Sequence, residues 1–181
     1  MFKRLVALCL GISLVNSTLP VPAKAQLNSN TGSVALSAPL LESLAVVAAP
    51  SSVSFVLVGS GTANGSSSIS ITTTWVLAPT RSNVKLFGYF TSSSAALTDG
   101  AGHNIPSADV NGSVNGGAQT AFTSNSPFAT GSSLQVFSQN VSGATLNSSR
   151  TDSLALQIDT SGLNLPAATY TGTLNIEAQA N

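Results

Sequence analysis

Between residues 34 and 178 the chain repeats one pattern: short runs in which apolar side chains recur at every second position, cut by Gly, Pro, Asn and Ser. Strands place successive side chains on opposite faces, whereas an amphipathic helix needs apolar residues three and four apart. Val34 and Leu36 alternate with Ser and Ala, and the stretch Leu44 to Ala48 follows before Pro50-Ser51-Ser52 makes a turn. Val53 to Val58 reads as a strand with Val53, Phe55 and Leu57 on one face. Ile69 to Leu77 is the cleanest run, with Ile69, Ile71, Thr73 and Trp75 on one side. Val84 to Phe90, Leu134 to Phe137 and Leu154 to Ile158 continue the series, and Thr169 to Ala178 closes it with Tyr170, Gly172, Leu174, Ile176 and Ala178 on one face. Asp99-Gly100 between Ala95–Thr98 and His103–Ile105 predicts a hairpin, because such a turn requires positive φ. The one weak helical candidate is Leu40 to Val47. About eight to ten antiparallel strands at roughly 8–12-residue spacing predict an all-β fold in a single domain, a β-sandwich or barrel.

Composition fits a sandwich wetted by hydroxyls. Only 12 of 181 residues are charged, six of each sign, against 30 Ser and 18 Thr. Thr is β-branched and suits the outward face of a pleated sheet. No clustered Lys/Arg exists to neutralise phosphates, which argues against nucleic-acid partners. With so few charged gatekeepers, edge strands are open to pairing with other chains.

The first 25 residues read as an export signal: Lys3 and Arg4, an apolar run from Leu5 to Val15, and Ala23-Lys24-Ala25 before an expected cleavage ahead of Gln26. The run is half the length of about 20 residues needed to span a bilayer, and no longer run follows, so no transmembrane segment is expected in the mature chain. Residues 26–181 would then carry Arg81, Lys85 and Arg150 against Glu42, Asp99, Asp109, Asp152, Asp159 and Glu177, a net charge of 3 − 6 = −3. Cys9 falls within the leader, so the mature chain has no thiol for a disulfide or a nucleophile. The expected location is exported: extracellular, cell surface or periplasm.

Equipment for chemistry is sparse. His103 is the one histidine, flanked by Asp99 and Asp109, and no G-x-S-x-G elbow accompanies it. Zinc wants three or four His, Cys or carboxylate ligands. Asp99 to Asn104 lacks the alternating carboxylates of a calcium loop, since Ala101 stands where the second belongs. Asp152 and Asp159 lie roughly 23 Å apart along a strand, too far for the paired carboxylates of a glycosidase; Asp152 with Arg150 is expected to cap a turn. No catalytic residue, metal site or cofactor is expected, and the chain is read as a non-enzyme. Trp75, Phe87 and Tyr89 are candidate ligand-stacking aromatics if exposed, although core roles are favoured for such strand aromatics.

The ending Leu165-Pro166-Ala167-Ala168-Thr169-Tyr170-Thr171-Gly172-Thr173-Leu174-Asn175-Ile176-Glu177-Ala178 resembles the closing strand of bacterial fimbrial-subunit and spore-coat-U-like secreted domains. The matching motif covers about fifteen residues, while the Ser/Thr/Asn-rich all-β character extends over most of the mature chain. The resemblance implies an immunoglobulin-like sandwich serving structurally at the cell surface, completed by a strand from a neighbour or from a periplasmic chaperone. Gln26 to Ser37 would be the donor segment. Val34, Leu36, Tyr170, Leu174 and Ile176 are the assembly-strand candidates. Two departures are the missing disulfide and the ending Gln179-Ala180-Asn181 without an aromatic. The expected function is a pilin-like subunit that self-associates through strand pairing; the alternative is a secreted module binding carbohydrate or another surface ligand.

Overall fold

The computed structural model describes residues 27–181. The expected export signal, with its cleavage before Gln26, lies outside the described residues. Two units divide the chain, Met1–Ala38 and Pro39–Asn181. Within the first, residues 27–38 form no strand, and the Leu27, Val34 and Leu36 side chains are 96%, 83% and 92% exposed. The alternation at Val34 and Leu36 therefore does not make a strand of its own. Leu27, Val34 and Leu36, spread among Ser, Asn and Gly, bury too little to offset the entropy of ordering the backbone.

Residues 39–181 are all-β with antiparallel pairing throughout. In chain order the strands are β1 (Ser43–Ala49), β2 (Thr62–Asn64), β3 (Ile69–Val76), β4 (Asn83–Tyr89), β5 (Leu97–Thr98), β6 (Asn104–Ile105), β7 (Val110–Val114), β8 (Gln119–Ala121), β9 (Ser133–Asn140), β10 (Asn147–Asp159) and β11 (Asn175–Ala180). One sheet has the order β1-β3-β10-β7-β8, with β2 also pairing β10; the second has β11-β4-β9; β5 and β6 form the expected hairpin. Its turn places Gly100 and Gly102 at φ 76° and 105°, where L side chains are strained.

The period of two decides which side chains meet. Ile69, Ile71, Thr73 and Trp75 of β3 all point inward, as do Asp152, Leu154, Leu156 and Ile158 of β10. They pack against Val84 and Leu86 of β4 and Leu134 and Phe137 of β9, so the core lies between the two sheets. Phe122, beyond β8, is completely buried and meets Phe90 edge-on at 5.1 Å. Gly112 of β7 lets Leu134 approach: a β-carbon there would sit 2.5 Å from Leu134 Cδ2 and 2.9 Å from Leu154 Cδ1.

Four expectations change. Leu40 to Val47, the weak helical candidate, contributes to β1, because Leu44 and Val46 find partners across β3 (Leu44 opposite Trp75, Val46 opposite Thr73). Arg150 and Asp152 do not cap a turn; they lie within β10, with Asp152 buried. Val53 to Val58 joins neither sheet, its backbone pairing reduced to one bridge between Phe55 and Gly65. The closing strand starts at Asn175, not Thr169, and runs on to Ala180. These last two departures border the same place.

Candidate functional site

A groove of 720 Å³, lined by both apolar and hydroxyl side chains, opens between the Pro50–Leu57 segment and residues 168–174, at the edge where the two sheets adjoin. Core side chains form its floor: Ile69, Phe90, Val110, Leu156 and Ile158. Val53, Phe55 and Leu57 face it from one wall, as their alternation predicts, while Val56 and Val58 on the other side of that segment are 87% and 47% exposed. The opposite wall carries Tyr170, Leu174 and Ile176.

Neither wall is a finished strand. Ser66 N–H donates to Ser54 C=O at 2.8 Å beside the Phe55–Gly65 bridge, and Thr160 Oγ1 donates to Val58 C=O at 2.7 Å. Across the groove, backbone pairing of residues 168–174 is confined to Thr171, which exchanges two 2.9 Å bonds with Thr98 of β5. Thus the β5–β6 hairpin, not β4, holds this wall. Gly172 is needed for that crossing, since a β-carbon there would stand 2.0 Å from the Ala96 carbonyl oxygen. Tyr170 donates its hydroxyl to Pro166 C=O at 3.0 Å and keeps its ring at the groove. The alternating set Tyr170, Leu174 and Ile176 thus faces one apolar space, although only Ile176 belongs to β11. The sequence signal for this wall was the alternation itself; nothing in it showed that residues 168–174 would leave the sheet.

Chemically, the groove offers apolar side chains below and loosely paired backbone N–H and C=O groups at the walls. An extended peptide supplies both complements, alternate apolar side chains and a row of backbone donors and acceptors.

The aromatic candidates divide. Trp75 is 1% exposed, and its indole N–H donates to Thr145 C=O at 2.8 Å. Burial of its large apolar ring with the one polar atom satisfied is a core role, so Trp75 is corrected from a stacking candidate to a core residue. Phe87 and Tyr89 lie on the outward side of β4, where Phe128 covers them, at 6.0 Å edge-on to Phe87 and 5.6 Å stacked on Tyr89. Phe87 is buried there, and the Tyr89 hydroxyl hydrogen-bonds Glu177 at 3.0 Å. Desolvation and the Glu177 carboxylate both raise the Tyr89 pKa. Phe128 occupies the ring face that a sugar would need.

Two polar clusters remain. His103 Nδ1 lies 2.6 Å from Asp99 Oδ2, while Asp99 Oδ1 accepts the Ala101 and His103 backbone N–H groups at 2.8 and 3.0 Å. The Asp99 carboxylate thereby organises the hairpin loop. Inside the sandwich, Arg150 grips Asp152 with two guanidinium nitrogens, stacks 4.2 Å over the Phe137 ring and reaches Gln139 at 3.3 Å. Asn115 donates to Asp152 at 2.8 Å and accepts the Ser153 N–H at 2.8 Å. Burial pushes the Asp152 carboxyl up, but its bonds from Arg150 and Asn115 outweigh this and hold it below the usual carboxylate range. Comparisons with protein-family models, curated proteins and solved structures found no match to the chain.

Proposed function

We propose that this protein is an exported structural subunit of the cell surface, that its sandwich is completed by a strand from a neighbouring copy, and that it has no enzymatic activity. The observation that carries this reading is the open groove, floored by apolar core side chains, between two walls of loosely paired backbone. A row of unpaired strand groups over exposed core side chains invites strand addition. Supporting it, residues 27–38 present Val34 and Leu36 on an exposed stretch with no secondary structure. Val34 and Leu36 of one copy fill the groove of the next, beside Phe55, Leu57, Tyr170 and Leu174. A periplasmic chaperone guards the groove until assembly.

The test is a pair of cysteine substitutions, Leu36→Cys and Leu57→Cys, in protein purified after export. The expected result is a disulfide-linked ladder of oligomers that needs both substitutions, together with polymers visible by electron microscopy for the unsubstituted protein. Only monomers after oxidation, with no polymer or surface-attached material, would sink the assembly reading.

A further inference from the structure

We propose that the outer face of the five-strand path β1-β3-β10-β7-β8 is a second association surface, one that docks on the same face of another copy of this chain. The groove plays no part in it.

The face follows from strand register. Thr72 of β3 stands opposite Val47 of β1 and Thr151 of β10, and Thr74 stands opposite Ala45 and Ser149. Four such rows cross β1, β3 and β10 with short side chains only, and the Thr72 and Thr151 hydroxyls are joined by a 2.9 Å hydrogen bond. No outward position on β1, β3 or β7 carries a charge, and on β10 the only one is Asp159, its last residue. This pattern selects the partner. A charged macromolecule finds nothing here to steer it. A sugar finds no aromatic plane on this face. A second copy meets neither like-charge repulsion nor the desolvation cost of buried ions.

Shape points the same way. In an isologous contact one surface must carry both halves of each fit. Val47 is 66% exposed at the β1 edge, and a 460 Å³ hollow lies on the same sheet between Ser43, Thr74 and Ser149. The outward positions, four on β1, four on β3, seven on β10 and two each on β7 and β8, form a face staggered along β10; at ~6.7 Å along a strand and ~4.8 Å between strands they give roughly 600 Å². Two copies would bury on the order of 1,200 Å² in all, the lower end of the range for a specific interface, and sheets packed face to face align within about 30°.

The experiment is sedimentation of exported protein carrying Val34→Asp and Leu36→Asp, which together replace both groove-filling donor side chains by charges and so silence groove assembly. In this background the expected result is a concentration-dependent dimer. Thr151→Lys and Thr151→Asp each weaken it by at least about tenfold, and an equimolar mixture of the two recovers association. Both stay within a few degrees of the parent melting temperature, since Thr151 is exposed and loses only its surface hydrogen bond to Thr72. A strict monomer at all concentrations, a dimer indifferent to Thr151→Lys, or binding of this face to a polysaccharide or an unrelated protein without dimerisation would overturn the proposal. If association vanishes with Val34→Asp and Leu36→Asp alone, this face is refuted while the groove reading stands. If the dimer forms in that background but the cysteine ladder does not, the groove reading fails and this one survives.

Discussion

Gly172 and Thr73 show how single atoms bear on this fold. The Ala96 carbonyl oxygen occupies the space of a Gly172 β-carbon at 2.0 Å, and that oxygen is backbone, unable to swing aside. Gly172→Ala should therefore destabilise the protein by about 1–3 kcal/mol in urea unfolding, the range for forced overpacking. Thr73 is the reverse case. It is fully buried and its Oγ1 has no hydrogen-bond partner among the described residues. Thr73→Val keeps the shape and removes the orphaned hydroxyl, so it should raise stability by about 1 kcal/mol. Asp152 governs acid behaviour. Its carboxyl pKa is lower in the folded chain than in the unfolded one. The stability it contributes is then complete above the unfolded value of about 4 and is lost as pH falls through the lower folded value. Asp152→Asn should cost about 2 kcal/mol at pH 7, part of the penalty for breaking a buried pair because Arg150 keeps some solvent. The cost should shrink progressively as pH falls below about 4, as measured by denaturant melts across the acid range.

Among the elements, β10 is the organiser: its thirteen residues pair with β2, β3 and β7. Its alternation was plain in the sequence from Ser153 to Asp159, but the first half, Asn147-Ser148-Ser149-Arg150-Thr151, has no apolar residue to announce a strand. That half is a strand because β3 is already in place beside it and Arg150 can lie on Phe137. The β5–β6 hairpin has a different part, since it anchors one groove wall through Thr98. Thr98→Pro removes the N–H that Thr171 accepts. Hydrogen exchange should then show residues 168–174 losing protection while β3 and β10 keep theirs, because local opening does not require global unfolding.

For the whole molecule, the relevant quantity is the surface left uncovered by an incomplete edge. If the groove takes an extended strand, a synthetic peptide of residues 27–38 added to protein carrying Val34→Asp and Leu36→Asp should bind it and stabilise the fold. At a hundred times its dissociation constant the gain is about 2.7 kcal/mol, or a rise of roughly 5–10 °C in Tm for a chain this size. A peptide with Val34→Asp and Leu36→Asp should give no shift, and equal shifts from both peptides would count against side-chain-directed filling of the groove.

The sequence by itself determined the class of element and the inward set. Period-two alternation admits strands alone, and Ile71, Trp75, Leu86, Leu154 and Ile158 lie inward as that period requires. The Asp-Gly hairpin followed from backbone sterics, which are local. What tertiary structure decided was pairing. Val53–Val58 and Thr169–Ala178 have equally good strand patterns, yet the first has one bridge, and the second has one bridge at Thr171 and becomes a strand only from Asn175. Alternation states which face a side chain takes once a strand forms; it does not state whether a neighbour exists to receive the backbone hydrogen bonds. The same holds for Val34 and Leu36, whose alternation finds no partner strand among the described residues. The groove is thus invisible in any one segment, because it is the space left where two well-patterned segments lack a strand between them.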